Sequence, residues 1–172
     1  MIYEPENLKN KRAMYEKRDK WLVIFAFLFW TALLFIYVNL VLPYVKSTVV
    51  FWSIIVGGIV IVTIIYFFIV FFALMQRGHQ FRKMNNTIVR EYHEDKNGEL
   101  FLERLLAMDK TPGDMNDEMT WYLNIATAFN VLGRQNECIA LFTQLEEVAT
   151  GKNKEYIQNS IRFVQEQLEK EC

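Results

Sequence analysis

The sequence predicts an all-α chain: a transmembrane helical hairpin of two spans, followed by a small α-helical domain. Three observations predict it. Two long stretches carry no charge, 22 residues from Trp21 to Leu42 and 30 from Ser47 to Gln76. Beyond them, apolar residues recur at helical spacing between Gly and Pro breaks. No stretch alternates with the clean period of two that marks a half-buried strand.

Residues 1–20 read as a basic cytoplasmic N-terminal segment. Residues 21–76 read as the hairpin, with spans at about 21–42 and 48–75 and a turn at 43–47. About 20 apolar residues at about 1.5 Å each cross a hydrocarbon core of about 30 Å. The first span holds fifteen Leu, Ile, Val or Phe residues. Their insertion gains roughly 5–9 kcal/mol before the cost of Thr31 and Asn39. A cleaved signal peptide fits poorly. Its apolar core runs about 7–15 residues, and no small-x-small site stands among Val41, Leu42, Pro43, Tyr44 and Val45. Pro43 and Ser47 mark the outer turn, and Trp21, Tyr44 and Trp52 suit interfacial anchors.

Charge orients the hairpin. Lys9, Lys11, Arg12, Lys17, Arg18 and Lys20 precede the first span; Arg77, Arg82, Lys83 and Arg90 follow the second. Lys46 alone lies between. The excess of Lys and Arg places both termini in the cytoplasm. Lys17, Arg18, Lys20, Arg77, Arg82 and Lys83 flank the bilayer closely enough to meet anionic lipid. Residues 1–90 carry eleven basic and four acidic side chains; residues 91–172 carry eight and sixteen. The acidic distal half is expected to avoid nucleic acid. The short loops and plain topology point to a bacterial cytoplasmic membrane.

No charged residue stands inside either span, so an ion or proton path is not expected. Ser53 and Gly57 lie one turn apart with Gly58 beside them, a helix-packing face in the membrane. It would serve the first span, a second copy or another protein. The second uncharged run could reach about 45 Å as a helix. Phe81, Met84, Ile88, Val89 and Tyr92 continue an apolar stripe beyond it, so one continuous helix is predicted from the membrane into the following domain.

That domain, residues 77–172, is punctuated as short antiparallel helices. Asn97-Gly98 and Thr111-Pro112-Gly113 are breaks. Asp114, Asn116 and Asp117 supply cap and first-turn acids for a helix carrying Met119, Tyr122, Ile125, Ala126 and Phe129. Gly133 ends it. The next presents Cys138, Ile139, Leu141, Phe142 and Leu145 and stops at Gly151. The last, from about Asn153 to Glu169, presents Tyr156, Ile157, Ile161, Val164 and Leu168.

Residues 119–150 resemble a tetratricopeptide repeat, a helix–turn–helix unit of about 34 residues. With Gly133 as the inter-helix glycine, Tyr122, Ile125, Ala126 and Phe129 fit helix A, and small Cys138 with Phe142 fits helix B. Leu145 stands where a second small residue is common, and Thr150 where Pro is. One repeat further on, Tyr156, Ser160 and Phe163 match the next helix A, which would cap the array. Upstream, Pro112 can close a degenerate repeat. The resemblance implies that the helix A face, here Thr120, Leu123, Thr127 and Asn130 with neighbouring Asn124, binds extended peptide. The Lys and Asn clamp for acidic C-terminal peptides is absent.

Chemistry-bearing patterns are sparse. His79 and His93 have no metal-ligand spacing. Cys138 and Cys172 form neither a Cys-x-x-Cys pair nor a prenylation box. The stretch His93–Gly98 fails as a calcium loop, because His93 and Arg104 stand where carboxylates are needed. Asn85-Asn86-Thr87 is a sequon on the expected cytoplasmic side. Phosphate-loop, dinucleotide and nucleophile motifs are missing. No enzyme, catalytic residue, metal or cofactor is therefore expected. Two functions remain: a membrane-anchored adaptor or scaffold that recruits a protein partner, and a small accessory subunit of a transporter or secretion complex, bound through its hairpin. The lipid bilayer is a partner in both, and self-association through the Ser53/Gly57 face is compatible with either.

Overall fold

The computed structural model describes residues 3–41 and 48–171. The described chain is all-helical, 87% helix with no strand. Its helices are α1 (Leu8–Val41), preceded by a single 3-10 turn at Pro5–Asn7, then α2 (Thr48–Gln76), α3 (His79–Asp95), α4 (Gly98–Leu106), α5 (Met115–Val131), α6 (Gln135–Val148) and α7 (Lys152–Glu171). Two compact units result: Glu16–Gln76, and the residues through Tyr15 together with those from Arg77 onward. The predicted turn at 43–47, with Tyr44, lies outside the described residues.

Within Glu16–Gln76, α1 and α2 carry stretches long and apolar enough to cross a membrane, in Pro5–Leu40 and Ile55–Ala73. Their apolar side chains face outward. Phe25 is 62% exposed and Phe67 66%. Trp30 Nε1 donates to Thr63 Oγ1 at 3.3 Å, and the Tyr37 ring lies over Gly58. Thr31 Oγ1 donates back to the Leu28 carbonyl and Asn39 Nδ2 to that of Phe35, both at 2.8 Å. Thr31 and Asn39 are thus satisfied by their own helix.

The other unit folds by the opposite rule. Successive helices α3 to α7 pack on one another, and α3 also reaches α5. Caps start them: the Asn97 side chain accepts from Leu100 N at 3.1 Å, and that of Asp114 from Asp117 N at 2.9 Å. Gly133 turns α5 into α6 with φ +70°, and Arg134 N closes the turn on the Phe129 carbonyl. Tyr122, Phe129 and Phe142 are buried as the sequence predicts. Trp121, wholly buried, donates Nε1 to the Leu105 carbonyl at 2.9 Å, and Tyr92 stacks on Phe101 at 4.4 Å.

One expectation is corrected here. The helix does not run unbroken past the second apolar stretch. It ends at Gln76, and Gly78 takes the left-handed conformation at φ +62°. Long-range packing decides this. A Cβ on Gly78 would stand 2.2 Å from Asp117 Oδ2 and 2.6 Å from Gly113 N, so two backbones meet through paired glycines. Asp117 holds the contact, accepting from Gly113 N at 2.8 Å and Arg82 Nη1 at 3.0 Å, while Arg82 Nη2 donates to the Arg77 carbonyl. Leu8 and Tyr15 are buried in the helical unit.

Candidate docking site

Besides a groove of about 620 Å³ between α3 and α4, lined by Met84, Ile88, Glu91 and Arg104 among others, the helical unit has two that bear on the sequence expectations. The first lies between α4 and α6 and is lined by Tyr3 and Pro5 together with Leu102, Leu106, Phe129 and Leu141. The Tyr3 ring sits 5.8 Å from Tyr122 and edge-on to Phe129 at 6.4 Å. Tyr122 Oη accepts from Glu4 N at 3.2 Å. Glu118, 2% exposed, accepts from Lys11 Nζ at 2.6 Å and Tyr15 Oη at 3.1 Å. Arg12 Nη1 donates to the Val148 carbonyl at 2.5 Å, at the α6 C-terminus where helix carbonyls lack partners. Burial pushes the Tyr3 phenol up to about 12, reinforced by Tyr122 and Glu137. Burial also raises Tyr122, against the pull of the Glu4 amide and Lys11. Lys11 lies above its ordinary value: burial opposes its charge, but the hydrogen bond to Glu118 and its charge outweigh that.

The second groove, about 320 Å³, runs between α5 and α7. Thr127 and Asn130 come from α5, Phe142 from α6, and Tyr156, Ser160 and Phe163 from α7. Of the predicted face, the structure therefore brings Thr127 and Asn130 together here. Thr120 is exposed outside the groove, its Oγ1 donating to the Asn116 carbonyl at 2.8 Å. Leu123 is half-buried against the core. Asn124 Nδ2 donates to Asn85 Oδ1 at 3.0 Å, tying α5 to α3. Asn130 Oδ1 is buried with no hydrogen-bond partner among the described residues. Tyr156 and Phe163, 59% and 57% exposed, are the residues the sequence placed only as repeat positions.

The remaining candidates separate. A Cβ on Gly58 would strike the Tyr37 ring at 2.0 Å, whereas one on Gly57 would meet nothing within 4 Å. Gly58 thus packs against the first apolar helix and Gly57 leaves an open notch, with Ser53 exposed on the same helix. Lys17, Lys20 and Lys83 are exposed. Arg82 instead pairs with Asp117, Arg18 lies 3.5 Å from Asp19, and Arg77 offers its carbonyl to Arg82. Lys9 and Lys11, counted as membrane-side charge in the sequence, pair with Glu147 and Glu118. Asn85 of the sequon is buried. The Cys138 thiol is buried too, and burial pushes it up to about 11, away from reactivity.

Comparison with family models, with curated proteins and with solved structures gives no match.

Proposed function

We propose that this chain is an integral membrane protein that holds a tetratricopeptide-repeat-like docking unit at the cytoplasmic face of a membrane, a bacterial cytoplasmic membrane on the sequence reading, and recruits a protein partner there. The observation that carries the proposal is the groove between α5 and α7, where Thr127 and Asn130 stand beside exposed Tyr156 and Phe163. Polar groups that fix orientation next to rigid aromatic surface are what protein recognition uses. The outward apolar surface of α1 and α2 supports the membrane reading, because a soluble chain would bury it. The order of antiparallel helices, the left-handed Gly133 between α5 and α6, and the packing of α3 on α5 support the repeat reading.

A photo-crosslinking side chain at Thr120, in the full-length chain in native membranes, is expected to give one discrete heterologous adduct. Leu123→Glu should abolish it. Labelling of Ser47→Cys but not Thr150→Cys by an impermeant maleimide on sealed cells tests the orientation; the reverse pattern would reject it.

One observation favours the second reading, an accessory subunit of a membrane complex: the open notch at Gly57. A small residue without a neighbour allows a helix of another subunit to approach closely. Adducts from a crosslinker near Gly57, with none from Thr120, would establish that reading over the first.

A further inference from the structure

We propose that α7 pairs antiparallel with α7 of a second copy, around a two-fold axis between Asn159 and Ser160. This rests on the docking-unit reading and names the occupant of the α7 side of that groove. The α5 side, with Thr127 and Asn130 in the groove and Thr120 exposed outside it, remains for the recruited partner.

Register along α7 defines the pairing. At 3.6 residues per turn, Lys152, Tyr156, Asn159, Ser160 and Phe163 share one stripe of α7, and Glu155, Arg162 and Glu166 run along one edge of it. The opposite stripe is already used: Ile157 and Val164 are buried in the core. In an antiparallel two-fold pair, position n faces position 319 minus n when the axis lies between 159 and 160. That arithmetic sets Tyr156 against Phe163 of the second copy, and Phe163 against its Tyr156. Like edges also meet in such a pair. Lys152 then falls within one residue of Glu166 of the other copy, and Glu155 within two of Arg162. Read from either end, Lys152, Glu155, Arg162 and Glu166 alternate in sign and invert. The aromatic pair and the two ion pairs centre at 159.5, 159 and 158.5, within one residue of one another.

Exposure agrees with register. Tyr156 and Phe163 are the large apolar side chains most exposed on the described residues of α7, and Lys152, Glu155, Arg162 and Glu166 are exposed beside them. Arg162 Nη2 is held by Asn159 Oδ1 at 2.8 Å, along the edge where Glu155 of the other copy would arrive. An isologous contact of this kind is the commonest way a chain self-associates. The aromatic pairs supply the affinity. The charges set direction, because exposed pairs are weak but like charges placed opposite are rejected. A single helix pair is smaller than a standard interface of about 1,600 Å², so confinement of both copies in one membrane has to raise their effective concentration.

The test uses full-length protein carrying Cys172→Ser, reconstituted in vesicles, with helicity checked by circular dichroism. Asn159→Cys is expected to give a covalent dimer with a short bis-maleimide. Lys152→Cys is not, because its two copies lie about 22 Å apart along the axis at 1.5 Å per residue. The parent, which keeps buried Cys138, is the blank. In the Asn159→Cys background, Glu155→Arg or Arg162→Glu alone should cut dimer yield about threefold, the size of an exposed pair, and the two together should restore it. Equal cross-linking at 152 and 159 means parallel or random contact and overturns the proposal. A folded Asn159→Cys protein that stays monomeric also overturns it, and leaves Tyr156 and Phe163 to a different partner. Persistence of the Thr120 adduct without the dimer would reject this pairing alone. The dimer without the Thr120 adduct would reject the recruiting function alone.

Discussion

Helices α2 and α5 both carry large apolar side chains and dispose of them in opposite ways. α5 buries Trp121, Tyr122, Ile125, Ala126, Ala128 and Phe129 among its neighbours. α2 leaves Val56, Ile59, Phe67, Phe68, Phe71 and Phe72 uncovered. Its mean hydropathy is the higher of the two, so hydrophobicity alone does not determine burial. The solvent does. α5 carries a polar remainder of Thr120, Asn124 and Thr127 that belongs in water, and α2 has almost none. A helix apolar all round needs either a surrounding core or a lipid one.

The contrast can be broken at either end. The largest effect is expected from Trp121→Ala, which removes a wholly buried indole and its bond to Leu105. A loss of about 3–5 kcal/mol should unfold the helical unit in a thermal melt. At the other end, Phe67→Lys is expected to weaken membrane insertion by about 3 kcal/mol, read by carbonate extraction. The matched change Phe163→Lys should leave extraction unaltered; equal behaviour of the two would erase the contrast.

Gly78→Ala comes next. It adds left-handed strain and a clash with the Gly113 backbone, roughly 2 kcal/mol together. Lys11→Met leaves Glu118 buried without its cation and should cost roughly 2 kcal/mol, while the double change with Glu118→Leu should recover most of that. The smallest effect is one of pH. Tyr3, Tyr122 and Lys11 all titrate above their ordinary values when docked. The stability they add is therefore full below the unfolded values of about 10 to 10.5 and is lost as pH rises through the folded ones, Tyr3 at about 12. Protease access to residues 3–15 should grow between pH 10 and 12, and less so in Tyr3→Phe.

Helix order in the distal half was legible because its signals are local. Thr111-Pro112-Gly113, Gly133 and Gly151 each break a helix by their own backbone preference. The break at Gly78 was not legible. The apolar stripe continues across it, and the reason for the turn is Gly113, brought alongside only by folding. The seating of Leu8, Lys11 and Tyr15 was not legible for a related reason: they share one face of a helix, but the surface that receives them is built only by folding. Of the candidate face, Thr127 and Asn130 followed from the repeat resemblance. Tyr156 and Phe163 were named for the register they keep, and their exposure depends on how α7 lands on α6.

The seating of residues 3–15 against Glu118 and Val148 makes the chain topologically a loop. Its two flanks belong to one folded body, and the apolar pair is the stretch between them. A closed curve meets any surface an even number of times. Were α1 and α2 to enter a lipid sheet, that seat would call for an even number of crossings, a condition separate from how lysines and arginines are distributed. A peptidase cut between α1 and α2 would leave the halves joined by that seat together with the Trp30–Thr63 bond and the Tyr37–Gly58 contact. Tyr3, Lys11 and Arg12 would then be one part of the clasp that keeps them one molecule.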